Sequence, residues 1–157
     1  MATIHSNLSA YDKAEVPSGE GKKISIVVAK WNAEITENLF DGAFQTLIDC
    51  GVAASDITRT NVPGSFELVY GARKALEKDV AAVIVIGSVI QGQTKHFDFV
   101  CHGVTQGITA LNLEGKAPVI FCVLTDNTLQ QAQDRSGGKH GNKGVEAAVA
   151  ALKMAVL

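Results

Sequence analysis

The stretch Val80 to Ile86, VAAVIVI, decides the fold. It is too short for a helix of ordinary length and is rich in β-branched residues, so it reads as a strand. It has no polar alternation. A strand apolar on both sides belongs to a parallel sheet covered by helices on both faces. Working outward, Ile24 to Ala29 (ISIVVA) and Val119 to Leu124 (VIFCVL) repeat the pattern. Asp56 to Val62 reads as a fourth strand, more polar and expected at an edge. Between the strands the spacing turns helical. Ile35, Leu39, Ala43 and Leu47 recur every four residues over Thr36 to Cys50. Leu68, Ala72, Ala75 and Leu76 form the inner face over Ser65 to Lys78, with Ser65 a candidate cap. Phe97, Cys101, Val104, Ile108 and Leu111 mark a third helix. Thr128 to Arg135 starts another, breaks at Ser136-Gly137-Gly138, and helical spacing resumes from Asn142 through Val145, Val149 and Leu152. Strands alternating with helices imply right-handed βαβ crossovers. The expected fold is a three-layer α/β/α domain with a four-stranded parallel sheet. It covers residues 23–157, behind a polar N-terminal arm of residues 1–22.

Composition narrows the function classes. The 157 residues are 46% hydrophobic and 19% charged, enough for one sizeable core. A net charge of −2 gives no electrostatic case for nucleic acid, and no basic run suggests a membrane surface. Cys50, Cys101 and Cys122 are odd in number and far apart, without a CxxC pair. They read as free buried thiols in a reducing compartment. The opening MATIHSNLSAYDKAEVPSGEG has no apolar signal-peptide core, and no apolar run approaches the ~20 residues that span a bilayer. A cytoplasmic location is expected.

In open α/β sheets ligands bind beyond the carboxyl ends of the strands. The loops expected there are Lys30 to Ala33, Pro63 to Glu67, Gly87 to His96 and Thr125 to Asn127. They hold the only tryptophan, Trp31, and most of the unusual polar residues. The first strand is followed by AKWNAEIT, which lacks GxGxxG, and no GxxxxGK[ST] or Gly-x-Ser-x-Gly occurs. His96, Asp98 and His102 look like metal ligands, but helical spacings of two and six do not share a face. Gly92-Gln93-Thr94 precedes a helix whose free N–H groups and dipole attract anions. An ordinary capped helix start fits the same residues. Arg135 and Lys143 flank the glycine-rich break and can grip phosphate or remain solvated helix-end charges. His96 can take and give a proton at neutral pH, as histidine side chains do, or serve structure alone. Trp31 can stack on a heterocycle or pack in the core. Glu67 can accept from hydroxyls or simply favour a helix dipole. His5, His102 and His140 read as surface or packing residues.

Taken together, Trp31-Asn32, Asn61 to Glu67 (NVPGSFE), Gly87 to Asp98 (GSVIQGQTKHFD) and Arg135 to Gly144 (RSGGKHGNKG) closely resemble the 6,7-dimethyl-8-ribityllumazine synthase family of riboflavin biosynthesis. The resemblance runs from about Lys23 to the C-terminus and implies a flavodoxin-like sheet. It implies condensation of 5-amino-6-(D-ribitylamino)uracil with 3,4-dihydroxy-2-butanone 4-phosphate, giving the lumazine, phosphate and water without metal or organic cofactor. By that resemblance His96 relays protons and Arg135 grips phosphate with Gln93 and Thr94. Trp31, beside Asn32, stacks on the pyrimidine, where the family often has phenylalanine. Ser65, Phe66 and Glu67 line the ribityl pocket, and Ser88, Val89 and Ile90 offer backbone groups to the pyrimidine edge. Phe121 closes the pocket from a neighbouring subunit, and Lys143 assists near the ribityl chain and phosphate. The resemblance also implies homo-oligomers: pentamers and, in some members, icosahedral shells of sixty chains. The uninserted Gly137 to Asn142 connection has the form typical of shell formers. Gln91 and Gln93 stand where other members differ. Two rival readings are a non-catalytic flavin- or lumazine-binding module and a related riboflavin synthase. Neither has an evident need for a phosphate clamp.

Overall fold

A computed structural model describes residues 7–157. Four strands form one parallel sheet: β1 (Ile24–Ala29), β2 (Ile57–Val62), β3 (Ala82–Ile90) and β4 (Val119–Asp126), in the order β2-β1-β3-β4. The helices are α1 (Ala33–Asp49), α2 (Leu68–Ala75), α3 (His96–Leu113), α4 (Leu129–Arg135) and α5 (Lys143–Met154). A small antiparallel hairpin, β5 (Ser136–Gly138) with β6 (Gly141–Asn142), fills the glycine-rich break.

The double-sided apolar reading of β3 has a direct structural counterpart. Ala82, Ile84 and Ile86 join Ile24, Ile26, Val28, Cys122 and Leu124 in a core under α1 and α5. Val83 and Val85 join Val27, Ala29, Val119 and Val123 in a second core under α2 and α3. Successive side chains point to opposite faces, so one continuous apolar run feeds both cores. β2 lies at an edge, with Thr58 to Asn61 exposed. The three-layer α/β/α architecture is the expected one.

Several boundaries and faces differ from the expectation. β3 continues four residues past Ile86, because β4 keeps pairing with it through Ile90 and Asp126. α2 begins at Leu68, and Ser65 does not cap it with its side chain. Ser65 lies in a tight turn whose carbonyl accepts from Leu68 N–H at 3.2 Å. The buried stripe of α5 is Ala147, Ala148, Ala151 and Leu152, one position away from the expected Val145 and Val149, which are half-buried. The small stripe lets α5 lie close to α1: a Cβ at Gly144 would collide with the Leu39 carbonyl.

Residues 7–22 run along the domain. Leu8 N–H donates to the His140 carbonyl at 2.8 Å, Asn142 N–H to Ser9 Oγ at 2.9 Å, and Gly19 N–H to the Cys50 carbonyl at 2.8 Å. His5 lies outside the described residues. His102 is exposed and His140 half-buried. Cys50 and Cys122 are buried, whereas Cys101 is only partly so, because α3 presents that side to solvent. Among the described residues no helix is long and apolar enough to cross a membrane.

Candidate active site

β3 is longer than β1 at the carboxyl edge. The β1–β3 register ends at Val28 opposite Ile86, so Gly87 to Ile90 project beyond β1 with one backbone edge free. An exposed strand edge is a row of ready donors and acceptors. Asn32 occupies part of it, donating from Nδ2 to the Ser88 carbonyl at 2.9 Å. Asn32 has left-handed backbone angles, φ 57 and ψ 49, a conformation that asparagine tolerates better than most residues. The turn from β1 is tied to the turn from β2 as well. Lys30 N–H donates to the Val62 carbonyl at 2.9 Å and Trp31 N–H to the Pro63 carbonyl at 3.1 Å.

These ties gather three strand ends around one cleft of about 690 Å³. The β1 end supplies Trp31 and Asn32. The β2 end supplies Ser65, Phe66 and Glu67. The β3 end and the start of α3 supply Ser88, Val89, Ile90, Thr94 and His96. Ten of the fourteen expected site residues therefore meet. Trp31 is 72% and Phe66 57% exposed. Large aromatic surfaces held open to water beside polar groups are the ordinary lining of a site for a flat, partly apolar ligand.

The start of α3 discriminates between a capped helix and an anion site. Lys95 stands at the cap position and has no acceptor in its side chain. The nearest substitute is Thr94 Oγ1, which accepts from His96 N–H at a long 3.4 Å. The first-turn N–H groups are thus left largely open beside the cleft, which favours an anion there. Asp98 in the same turn is exposed, so its charge is screened by water.

Four expected residues do not line this cleft. Gln93 is exposed between Gly92 and Thr94, which do. Phe121 is half-buried on β4, an edge strand of the sheet. Arg135 ends α4, with Nε 3.6 Å from Asp126 Oδ1. Lys143 begins α5 and bonds Glu146 at 2.5 Å. Burial pushes the nearby Cys122 thiol up to about 12, with Lys143 acting in the opposite sense. The β4 loop, expected as a fourth wall, contributes no lining. Thr125 and Asp126 instead pair with Val89 and Ile90 of β3, and Gln91 N–H donates to the Asp126 carbonyl at 2.9 Å.

The cleft also contains Gly64 and Gly92 of the expected loops, and Phe97, Phe99 and Val100, which were not expected there. The helical step from His96 to Phe99 and Val100 was the available signal. A wider groove of about 800 Å³ runs along α1 beside the β5–β6 hairpin. It is lined by Glu34, Asp41 and Asp49, whose charges oppose a phosphorylated ligand. The strand-end cleft is the better candidate.

Comparison with known proteins gives the family. Residues 21–157 match the family model described as 6,7-dimethyl-8-ribityllumazine synthase. A protein of that name from Flavobacterium johnsoniae is 63% identical, over 100% of this chain and 83% of its own length. One from Christiangramia forsetii is 58% identical, over 100% of this chain and 95% of its own length. One from Porphyromonas gingivalis is 56% identical, over 100% and 98% respectively.

Proposed function

The chain belongs to the 6,7-dimethyl-8-ribityllumazine synthase family, and from that premise we infer that its strand-end cleft is where the family's condensation occurs. The enzyme is a transferase of riboflavin biosynthesis. It joins 5-amino-6-(D-ribitylamino)uracil to 3,4-dihydroxy-2-butanone 4-phosphate and releases 6,7-dimethyl-8-ribityllumazine, phosphate and water. The reading of the cleft rests on one observation: an aromatic plane, a free strand edge, an open helix start and a histidine line a single cavity.

Each feature suits one part of the reaction. Trp31 offers a face to the pyrimidine. The free edge at Ser88 to Ile90 offers backbone groups to its rim. Glu67 accepts from ribityl hydroxyls beside Ser65 and Phe66. The α3 start, with Gln93 and Thr94, receives the phosphate. The pyrimidine's amine attacks the ketone, water leaves and an imine forms. Phosphate is then eliminated, and the ribityl-bearing nitrogen closes the ring with loss of water. Protons move at every step, and His96 carries them between substrate and solvent. Holding both reactants in one cleft supplies a large further share of the rate.

Phe121, Arg135 and Lys143 complete the site from a second copy of the chain. Their position on the β4 side, away from the cleft of their own chain, supports this reading. The assembly is a homo-oligomer, read as a pentamer. The uninserted Gly137 to Asn142 connection favours closure of pentamers into a shell. The free thiols, two of them buried, suit the cytoplasm.

The decisive experiment mixes purified protein with both substrates. Lumazine fluorescence with equimolar phosphate release is expected, and a rate no faster than the spontaneous reaction would refute the assignment. Arg135→Ala tests the clamp: it should raise the KM for the butanone phosphate far more than that for the pyrimidine. Light scattering of the native protein separates pentamer from shell.

A further inference from the structure

Asp126 ends β4 as its one charged residue, and the condensation as described makes no use of it. Its side chain is only 7% exposed. Oδ1 lies 3.6 Å from Arg135 Nε, and Oδ2 has no hydrogen-bond partner among the described residues. Strand alternation puts it on the same face as Cys122 and Leu124, beside Ile90 on β3. Burial raises its pKa above the ordinary carboxylate value, and Arg135 pulls in the opposite direction. A buried carboxylate held only by a 3.6 Å charge contact costs stability that an uncharged side chain of similar size would not. Among the described residues its one charged partner is Arg135.

The geometry at Arg135 gives the charge a use. A guanidinium carries its donors in a rigid plane, and a carboxylate at Nε leaves the two Nη groups free on the other edge. Arg135 is 37% exposed, so that edge can reach a ligand. We propose that Asp126 is a positioning residue that tethers Arg135 through Nε and so presents the Nη pair, already oriented, to the phosphate of the second substrate. This rests on the reading of Arg135 as the phosphate clamp. The contribution is preorganisation: less side-chain freedom is lost when phosphate binds.

The sign of the effect separates this role from simple electrostatics. A nearby carboxylate repels phosphate, so on charge alone its removal should tighten phosphate binding. Tethering requires the opposite. The test is Asp126→Asn, assayed in the assembled enzyme with inorganic phosphate as competitor. The Ki for phosphate and the KM for the butanone phosphate should rise about tenfold, the low end for loss of a charge-assisted contact. The KM for the pyrimidine should stay within about twofold, because loss of one distant tether leaves unrelated contacts intact. The denaturation midpoint at neutral pH should be unchanged or higher, since a costly buried charge is gone. A role in stability alone would lower that midpoint and leave Ki unmoved. Asp126→Thr, β-branched and suited to a strand, repeats the readout if the asparagine variant folds poorly.

A double-mutant cycle with Arg135→Ala completes the test. In that background Asp126→Asn should have no further effect on phosphate. Tighter or unchanged phosphate binding in the single variant, or a full independent loss in the double variant, overturns the proposal. If Arg135→Ala alone spares phosphate, the clamp reading fails and the tether falls with it. If Arg135→Ala weakens phosphate and Asp126→Asn does not, the clamp stands and only the tether falls.

Discussion

Gly87 shows how closely the cleft depends on single atoms. A Cβ there would lie 2.6 Å from Ser65 Oγ and 2.9 Å from Leu68 Cδ1, both on buried residues. Gly87→Ala must therefore push the Ser65 turn outward, into the wall of the cleft. The expected loss is about 1–3 kcal/mol of stability, the usual cost of overpacking. The KM for the pyrimidine should rise as well. Denaturant titration and steady-state kinetics check both, and adding Ser65→Ala should restore part of each, because the nearest clashing atom is then gone. Wild-type behaviour in the single variant would mean that the turn yields without cost. His96 belongs at this scale too. Removing a relay but keeping the juxtaposition should slow turnover by about a hundredfold without abolishing it. An unchanged kcat in His96→Ala would take His96 out of the mechanism. Gly87 stands out in the sequence as the break after an apolar run, and His96 as the histidine of the polar stretch that follows. The burial of Asp126 does not, because nothing local to TDN reveals that α4 returns its Arg135 beside the strand end.

At the scale of elements, the clearest test lies where β2 meets α1. Arg59 Nη1 donates to Glu37 Oε2 at 2.8 Å, with Nη2 on the other carboxylate oxygen, and its guanidinium carbon stands 4.3 Å over the Phe40 ring. The hydrogen bonds from Arg59 are the main cause that lowers the Glu37 pKa below its ordinary value of 4.5. A lowered carboxylate pKa contributes stability that is present above 4.5 and is lost as pH falls through the folded-state value. Glu37 is 49% exposed, so solvent screening keeps the contribution small. Arg59→Ala should cost about 1 kcal/mol at neutral pH, through the ion pair and the ring contact together. The cost should shrink in acid, below the pKa of the free carboxylate. Thermal melts of both proteins across that range measure it, and a cost independent of pH would assign it to the ring contact alone. Neither partner is conspicuous in the sequence, since Glu37 and Arg59 lie on different elements. What was legible at this scale was whatever repeats along one element. The two-faced strands and the Ile35, Leu39, Ala43, Leu47 stripe follow from spacing alone. The true face of α5 did not, because Ala147, Ala148 and Ala151 are buried for closeness to α1, and a search for large apolar residues selects Val145 and Val149 instead.

For the whole molecule, the division of site residues is the informative fact. Trp31, Glu67, Thr94 and His96 line one cleft, whereas Phe121, Arg135 and Lys143 sit on the β4 side and line none of it. Spacing along the chain cannot distinguish residues that meet within a subunit from residues that meet across an interface. The β4 loop follows a strand end as the other three loops do, and that is why it was expected to close the same cleft. If the second set serves a neighbouring copy, the interface is head-to-tail, and each site takes its two halves from different chains. Subunit mixing then gives a result that a self-contained site cannot. His96→Ala chains and Arg135→Ala chains, each impaired alone, are unfolded together and refolded as mixed assemblies. A cleft with intact His96 must meet a neighbour with intact Arg135, and random assembly of a head-to-tail ring produces that pairing at about one site in four. Activity should rise toward about a quarter of the wild-type value, set by that same pairing. It should not rise when the two variants are merely combined without exchange. A mixture no more active than the mean of its parts would put both halves of the site in one chain, with β4 and its loop moving toward the cleft when substrate binds.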